Sequence, residues 1–218
     1  MASTEQLIGT LSADLAPVKP LRGGDALVAL WWLLGIGAVA FAMTLMAPWR
    51  STALAQLLSA PRFALEVTSG MLASGFVALY AFRLALPGRS RKGLFVCAVA
   101  VAMVWLSVVI SSLFWPPLEP STQGARHGCY LHTVVLAVPP AILACWLASR
   151  RYLLRPVYTF ACLGLVAGMI PAVLMQLGCM YGPVHGLMFH ILPGVLLMPL
   201  AAVVAMGVST ARRRSLAR

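Results

Sequence analysis

The sequence predicts an all-α, polytopic membrane protein with six transmembrane helices and both termini in the cytoplasm (N-in/C-in). Three observations carry this. The 218 residues are 61% hydrophobic and only 10% charged, where soluble domains run near one half and one quarter, and mean hydropathy is +0.92. Six apolar stretches follow one another with short connections, each near the roughly 20 residues that cross a bilayer core. The basic residues, finally, gather in alternate connections.

The spans read as residues 26–47, 64–86, 93–115, 130–149, 156–177 and 186–208. Backbone groups in hydrocarbon must be satisfied within the segment, so each is expected to be helical. None shows the alternation of barrel strands. The map leaves a segment 1–25, a transmembrane domain 26–208 and a basic tail 209–218. About 25 mostly polar residues precede the first span, which itself is too long for a signal peptide, so cleavage is not expected.

Orientation follows from charge. Lys19, Arg22, Arg83, Arg89, Arg91, Lys92, Arg150, Arg151, Arg155, Arg212, Arg213, Arg214 and Arg218 all fall on one side, 13 of the 16 basic residues. Arg50, Arg62 and Arg126 fall on the other. Basic loops stay cytoplasmic, which places the termini inside. The net charge of +11 thus needs no nucleic-acid partner. Trp31, Trp32, Trp49 and Trp115 read as an interfacial belt.

Outside lie loops near residues 48–63, 115–129 and 177–185, none large enough for a domain. The N-terminal segment has more to offer. Leu7, Ile8, Leu11 and Leu15 share one face at helical spacing. Ser3 and Gln6 are spaced as a capping box, and Pro17 stops the helix. So short a helix is marginal in water and needs a surface to lie on. Glu5 and Asp14 give it an acidic polar face, whereas lipid-surface helices carry basic residues there. A protein partner is the sharper expectation, with docking on the membrane or on the protein's own loops as the plainer one.

Cys97, Cys145 and Cys162 lie within spans and read as small hydrophobes. Cys129 and Cys179 fall at outer span ends, where an oxidising compartment would let two thiols pair. Sequence alone does not bring them within the approximately 7 Å that a disulfide needs. All four histidines of the chain lie on the same side: His127, His132, His185 and His190, with Met180 beside them. Thiolate, imidazole and thioether suit soft metals, Cu(I) above all, as a signal rather than an obligatory cofactor. For each histidine a polar interfacial role stands equally open. Glu66, in the first turn of span two, reads as a solvated or dipole-paired acid with Arg62 nearby.

Phosphate loops, paired catalytic carboxylates and nucleophile elbows are missing from the sequence, so an enzyme is not expected. A small transporter or metal-handling protein remains open through Pro139, Pro140 and Pro171, breakers at membrane depth. A thiol oxidoreductase would place its cysteines in close pairs.

Several fragments in fixed order resemble one family: TEQLIGTLSADLAPVKPL at 4–21, PRF at 61–63, AFRLALPGRSR at 81–91, GC at 128–129, LRP at 154–156, QLGC at 176–179 and HILP at 190–193. The chain resembles the NrsF-type (negative regulator of sigma F) membrane anti-sigma factors, over nearly its full length. The resemblance implies an inner-membrane protein that binds an extracytoplasmic-function sigma factor and no nucleic acid directly. It implies that Leu7, Ile8, Leu11, Asp14 and Leu15 contact the sigma factor. It further implies that Cys129 and Cys179 sense heavy-metal or oxidative stress.

Overall fold

A computed structural model describes residues 3–13, 24–46, 49–85, 92–150, 153 and 155–216. They form helices and no strand. A short helix α1, Thr4–Ala13, is followed by α2, Gly24–Met46. Then come α3, Ala53–Ser59, α4, Pro61–Leu84, and α5, Lys92–Phe114. The chain continues through α6, Cys129–Ser149, and α7, Pro156–Gly178. The last span opens on one turn, α8, Pro183–Gly186, passes through a π-helical turn, Leu187–Ile191, and runs on as α9, Leu192–Leu216.

Six helices are long and apolar enough to cross a membrane: α2, α4, α5, α6, α7 and the continuous run Pro183–Ser209. Their ends match the expected spans within three residues, because length and apolarity alone decide such segments. Pro139, Pro140 and Pro171 lie inside unbroken helices, so the expected breaks at membrane depth do not occur. In hydrocarbon, neighbouring helices and side chains take up the freed backbone groups. In the last span, the Thr133 hydroxyl of α6 lies 3.3 Å from the Phe189 carbonyl.

Helix α7 is the axis of the bundle, packed by α2, α4, α6 and α9 and buried along most of its length. Its closest neighbour is α9, and small residues explain the approach. Gly168 lies against the Gly194 backbone and Gly164 against the Leu197 carbonyl, with no room for a side chain at either. Apolar surface gives helices little reason to associate within lipid, so close backbone packing at small residues takes over. The outward faces of α2, α5 and α9 carry exposed Leu33, Phe41, Met103, Ile110, Leu200 and Val204, as a lipid-facing surface should.

Polar contacts fix α2 against α4. The Arg83 guanidinium donates twice to Asp25, at 3.1 and 2.8 Å, a bidentate geometry. The Trp32 indole donates to Ser74 at 2.9 Å, and Trp31 is buried beside Phe82. Trp31 therefore packs inward, and Trp32 is half-buried against α4.

Candidate functional site

The loops between α2 and α4, α5 and α6, and α7 and α8 meet at one end of the bundle. Gln123 accepts from Thr52 at 3.1 Å and donates to Ser51 at 2.8 Å. The Ser121 N–H donates to the Tyr181 carbonyl at 2.9 Å, joining the other two loops in an antiparallel bridge. Gly124 packs beside Arg50 and the Cys179 backbone, and its left-handed φ of +81° suits glycine there.

This stitching aligns two helix ends. Gly128, left-handed at φ +73°, turns the chain into α6, whose first residue is Cys129. Helix α7 stops at Gly178, leaving Cys179 extended at its C-cap. The two buried thiols consequently lie with their Sγ atoms 3.0 Å apart. Both are free cysteines.

The other site residues fall around this pair unequally. His185 brings Nε2 to 3.5 Å from Cys179 Sγ. The His190 ring stands 5.0 Å from that of His185, centre to centre, and is only 1% exposed. Cys129, Cys179, His185 and His190 each offer a ligand atom, and the four atoms lie within 4.8 Å of one another. His127 is exposed and His132 half-buried; neither joins that group. Met180 is half-buried and packs on the core beside the cysteines.

Burial, and next the neighbouring Cys129, push the Cys179 thiol up to about 12. Arg50, counted in the sequence only as a loop charge, is buried here. Its guanidinium donates to the Cys179 carbonyl at 3.3 Å and lies over the Phe63 and Tyr181 rings, 5.6 and 5.8 Å from their centres. Burial lowers its pKa, and the nearby Cys179 and Tyr181 act in the opposite direction.

Directly beneath lies a buried carboxylate. Glu66 is 6% exposed and accepts from Ser112 of α5 at 3.0 Å and from Gln176 of α7 at 3.1 Å. The expectation of a solvated acid at a helix end is therefore corrected. Pro61 starts α4 early enough to carry Glu66 into the second turn, where its partners come from two other helices. A cavity of about 20 Å³ lies between Glu66, Gln176, Tyr181 and His190, room for about one water.

The N-terminal segment forms the expected helix. Ser3 N–H donates to Gln6 Oε1 at 3.0 Å, and Gln6 N–H to Ser3 Oγ at 3.2 Å, a reciprocal capping box. Leu7 and Ile8 are 56% and 60% exposed. The side chain of Leu11, together with Asp14, Leu15 and Pro17, lies outside the described residues, as do Lys19, Arg22, Arg89, Arg91, Arg151 and Arg218.

Against this geometry stands one comparison. The model of the NrsF family, negative regulator of sigma F, matches residues 11–211. The chain belongs to the NrsF family. No curated protein and no solved structure matches it. NrsF names a negative regulator of a sigma factor, a regulatory and not an enzymatic role. Its partner is accordingly a sigma factor, and the six apolar helices make this NrsF member a multi-pass membrane protein.

Proposed function

We infer that this protein is an anti-sigma factor of the inner membrane. It holds an extracytoplasmic-function sigma factor at the cytoplasmic face and releases it when Cys129 and Cys179 meet heavy-metal or oxidative stress. The observation that carries the trigger is the 3.0 Å approach of the two thiols at abutting ends of α6 and α7. Charge asymmetry supports the orientation, with 13 of 16 basic residues on the side of the termini. The exposed Leu7 and Ile8 on a capped helix support the N-terminal segment as the sigma-binding element.

A switch needs an element with two arrangements that the signal biases. Bonding or bridging the thiols fixes the start of α6 to the end of α7. Since α7 packs on α2, α4, α6 and α9, a shift at its end is shared by the bundle down to the other face.

The close thiol pair also invites a thiol oxidoreductase reading. Against it, the chain belongs to a family of negative regulators of a sigma factor, a role without turnover chemistry. A transporter would use broken helices at the midplane, and the proline-bearing helices here run through unbroken.

The test is co-purification of a sigma factor with the detergent-solubilised protein, before and after exposure of the cells to metal or oxidant. Retention before and loss after is expected for the wild type, with retention throughout for Cys129→Ser/Cys179→Ser. A wild type that never retains a sigma factor sinks the anti-sigma reading; normal release by the double variant sinks the trigger.

A further inference from the structure

We propose that Cys129, Cys179, His185 and His190 form a single four-ligand site for a divalent cation of the zinc group, Zn²⁺ or its heavier congener Cd²⁺, and not for Cu(I). This rests on the reading of the cysteine pair as the trigger, and adds the missing ligands and the class of ion.

Donor chemistry comes first. Two sulfurs and two imidazole nitrogens within 4.8 Å of one another make an S₂N₂ set, a donor combination that suits zinc. Cu(I) would draw on the two thiolates and on the thioether of Met180, which packs beside them, and so depends less on the two rings.

The backbone supplies a second, independent argument. In a regular α-helix residues five apart are rotated by about 140° around the axis, which would turn His185 and His190 to different faces. The π turn at Leu187–Ile191 inserts the i→i+5 geometry that realigns them, and such turns concentrate at functional sites. It brings both rings to the thiols from one strand of chain.

The surroundings of His190 complete the case. The Thr133 hydroxyl has one hydrogen, and two carbonyls closer than His190 compete for it, Cys129 at 3.0 Å and Phe189 at 3.3 Å. Toward His190 Nδ1, 3.4 Å away, Thr133 is thereby placed to accept, which matches the tautomer with the ring proton on Nδ1. That leaves Nε2 with a free lone pair, buried and without a hydrogen-bond partner. Orienting a ligand histidine through its other nitrogen is the usual outer-shell device at metal sites. Access runs past His185, which is half-buried beside the exposed Val184 and Met188.

The experiment titrates the reduced, detergent-solubilised full chain with Cd²⁺ and, separately, with Cu(I), following thiolate-to-metal absorption in the ultraviolet. One Cd²⁺ per chain is expected. His185→Gln and His190→Gln should each weaken Cd²⁺ by at least about tenfold, since even outer-shell changes cost that much, while Cu(I) binding stays within about twofold. Because His190 is buried, His185→Gln at the half-buried position is the safer variant, and the metal-free melting temperature of each checks its fold. Cd²⁺ held equally tightly by a folded His185→Gln, or Cu(I) weakened as much as Cd²⁺, overturns the proposal. Binding is read without any sigma factor. Tight four-ligand binding with no sigma release would refute the trigger and leave the site standing; cysteine-dependent sigma release by oxidant in a protein that binds no Cd²⁺ would do the reverse.

Discussion

Gln176, in the last turn of α7 just before the C-cap Cys179, donates its side-chain amide to the Glu66 carboxylate at 3.1 Å. With Ser112 on the other oxygen, α4, α5 and α7 are tied together just beneath the thiol pair. Whatever displaces the end of α7 must therefore strain or move this contact. An intramembrane carboxylate is costly unless it is well partnered, which makes the tie sensitive to loss of either donor.

Gln176→Leu should accordingly destabilise the protein by about 1–3 kcal/mol, the cost of leaving a buried acceptor short of its donor. Glu66→Gln should cost less, because the amide still bonds Ser112 and removes the buried acid. Thermal unfolding in detergent reads both. A Gln176→Leu protein melting with the wild type would show that the contact contributes nothing.

The second prediction concerns pH. The thiolate, not the thiol, reacts, and the Cys179 thiol is raised from 9.0 to about 12, first by burial and then by Cys129. A group raised in the fold holds its proton more tightly there. Its contribution to stability is full below about 9 and disappears as pH rises toward about 12. At pH 8 the three-unit shift cuts the thiolate fraction roughly a thousandfold. Maleimide should thus label Cys179 very slowly in the native protein, faster with rising pH, and faster in Cys129→Ser, which removes the second cause. Native labelling as fast as in denaturant at pH 8 would contradict this.

Much of this architecture was legible in the sequence, because a bilayer span is a one-dimensional signal. The six helices and the Ser3–Gln6 box needed only local runs and spacings. Side-to-side relations were not legible. Hydropathy marks a helix as membrane-embedded without saying which face meets which neighbour. Gly164, Gly168 and Gly194 define the α7–α9 contact, yet look like ordinary glycines in apolar runs. The partners of Glu66 lie 46 and 110 residues away, and no local pattern announces them. Arg50 counts as a loop charge until its burial under Cys179 is seen. Of the seven soft-ligand candidates, the two thiols, His185 and His190 group within 4.8 Å. The two histidines are related by a π turn, which no local pattern in the sequence marks.

The third prediction is topological. Reporter fusions at Lys19, Arg91, Arg151 and Arg213 should report cytoplasm, and fusions at Gln123 and Tyr181 the opposite side. The warrant is the 13-to-3 division of basic residues. Gln123 and Tyr181 both belong to the stitched loops around the cysteines. Finding Gln123 accessible only from the cytoplasm would invert the map and remove the thiols from any external signal.

The last prediction concerns the N-terminal stripe. Leu7 and Ile8 are exposed on a capped helix, and Leu11 and Leu15 extend the same face at helical spacing. An apolar face on so short a helix is poorly stable alone in water, and its acidic Glu5 and Asp14 disfavour a lipid surface. Docking on a sigma factor would bury these side chains, and a charge placed among them would be buried unpaired. Leu11→Asp or Leu15→Asp should then weaken the complex by about 3 kcal/mol, more than a hundredfold in affinity. In cells this should appear as constitutive expression of the sigma factor's targets, with the variant still inserted in the membrane at normal level. Membrane fractionation separates that outcome from simple loss of the protein. If both variants keep repressing and keep co-purifying with the sigma factor, the stripe is not the binding element.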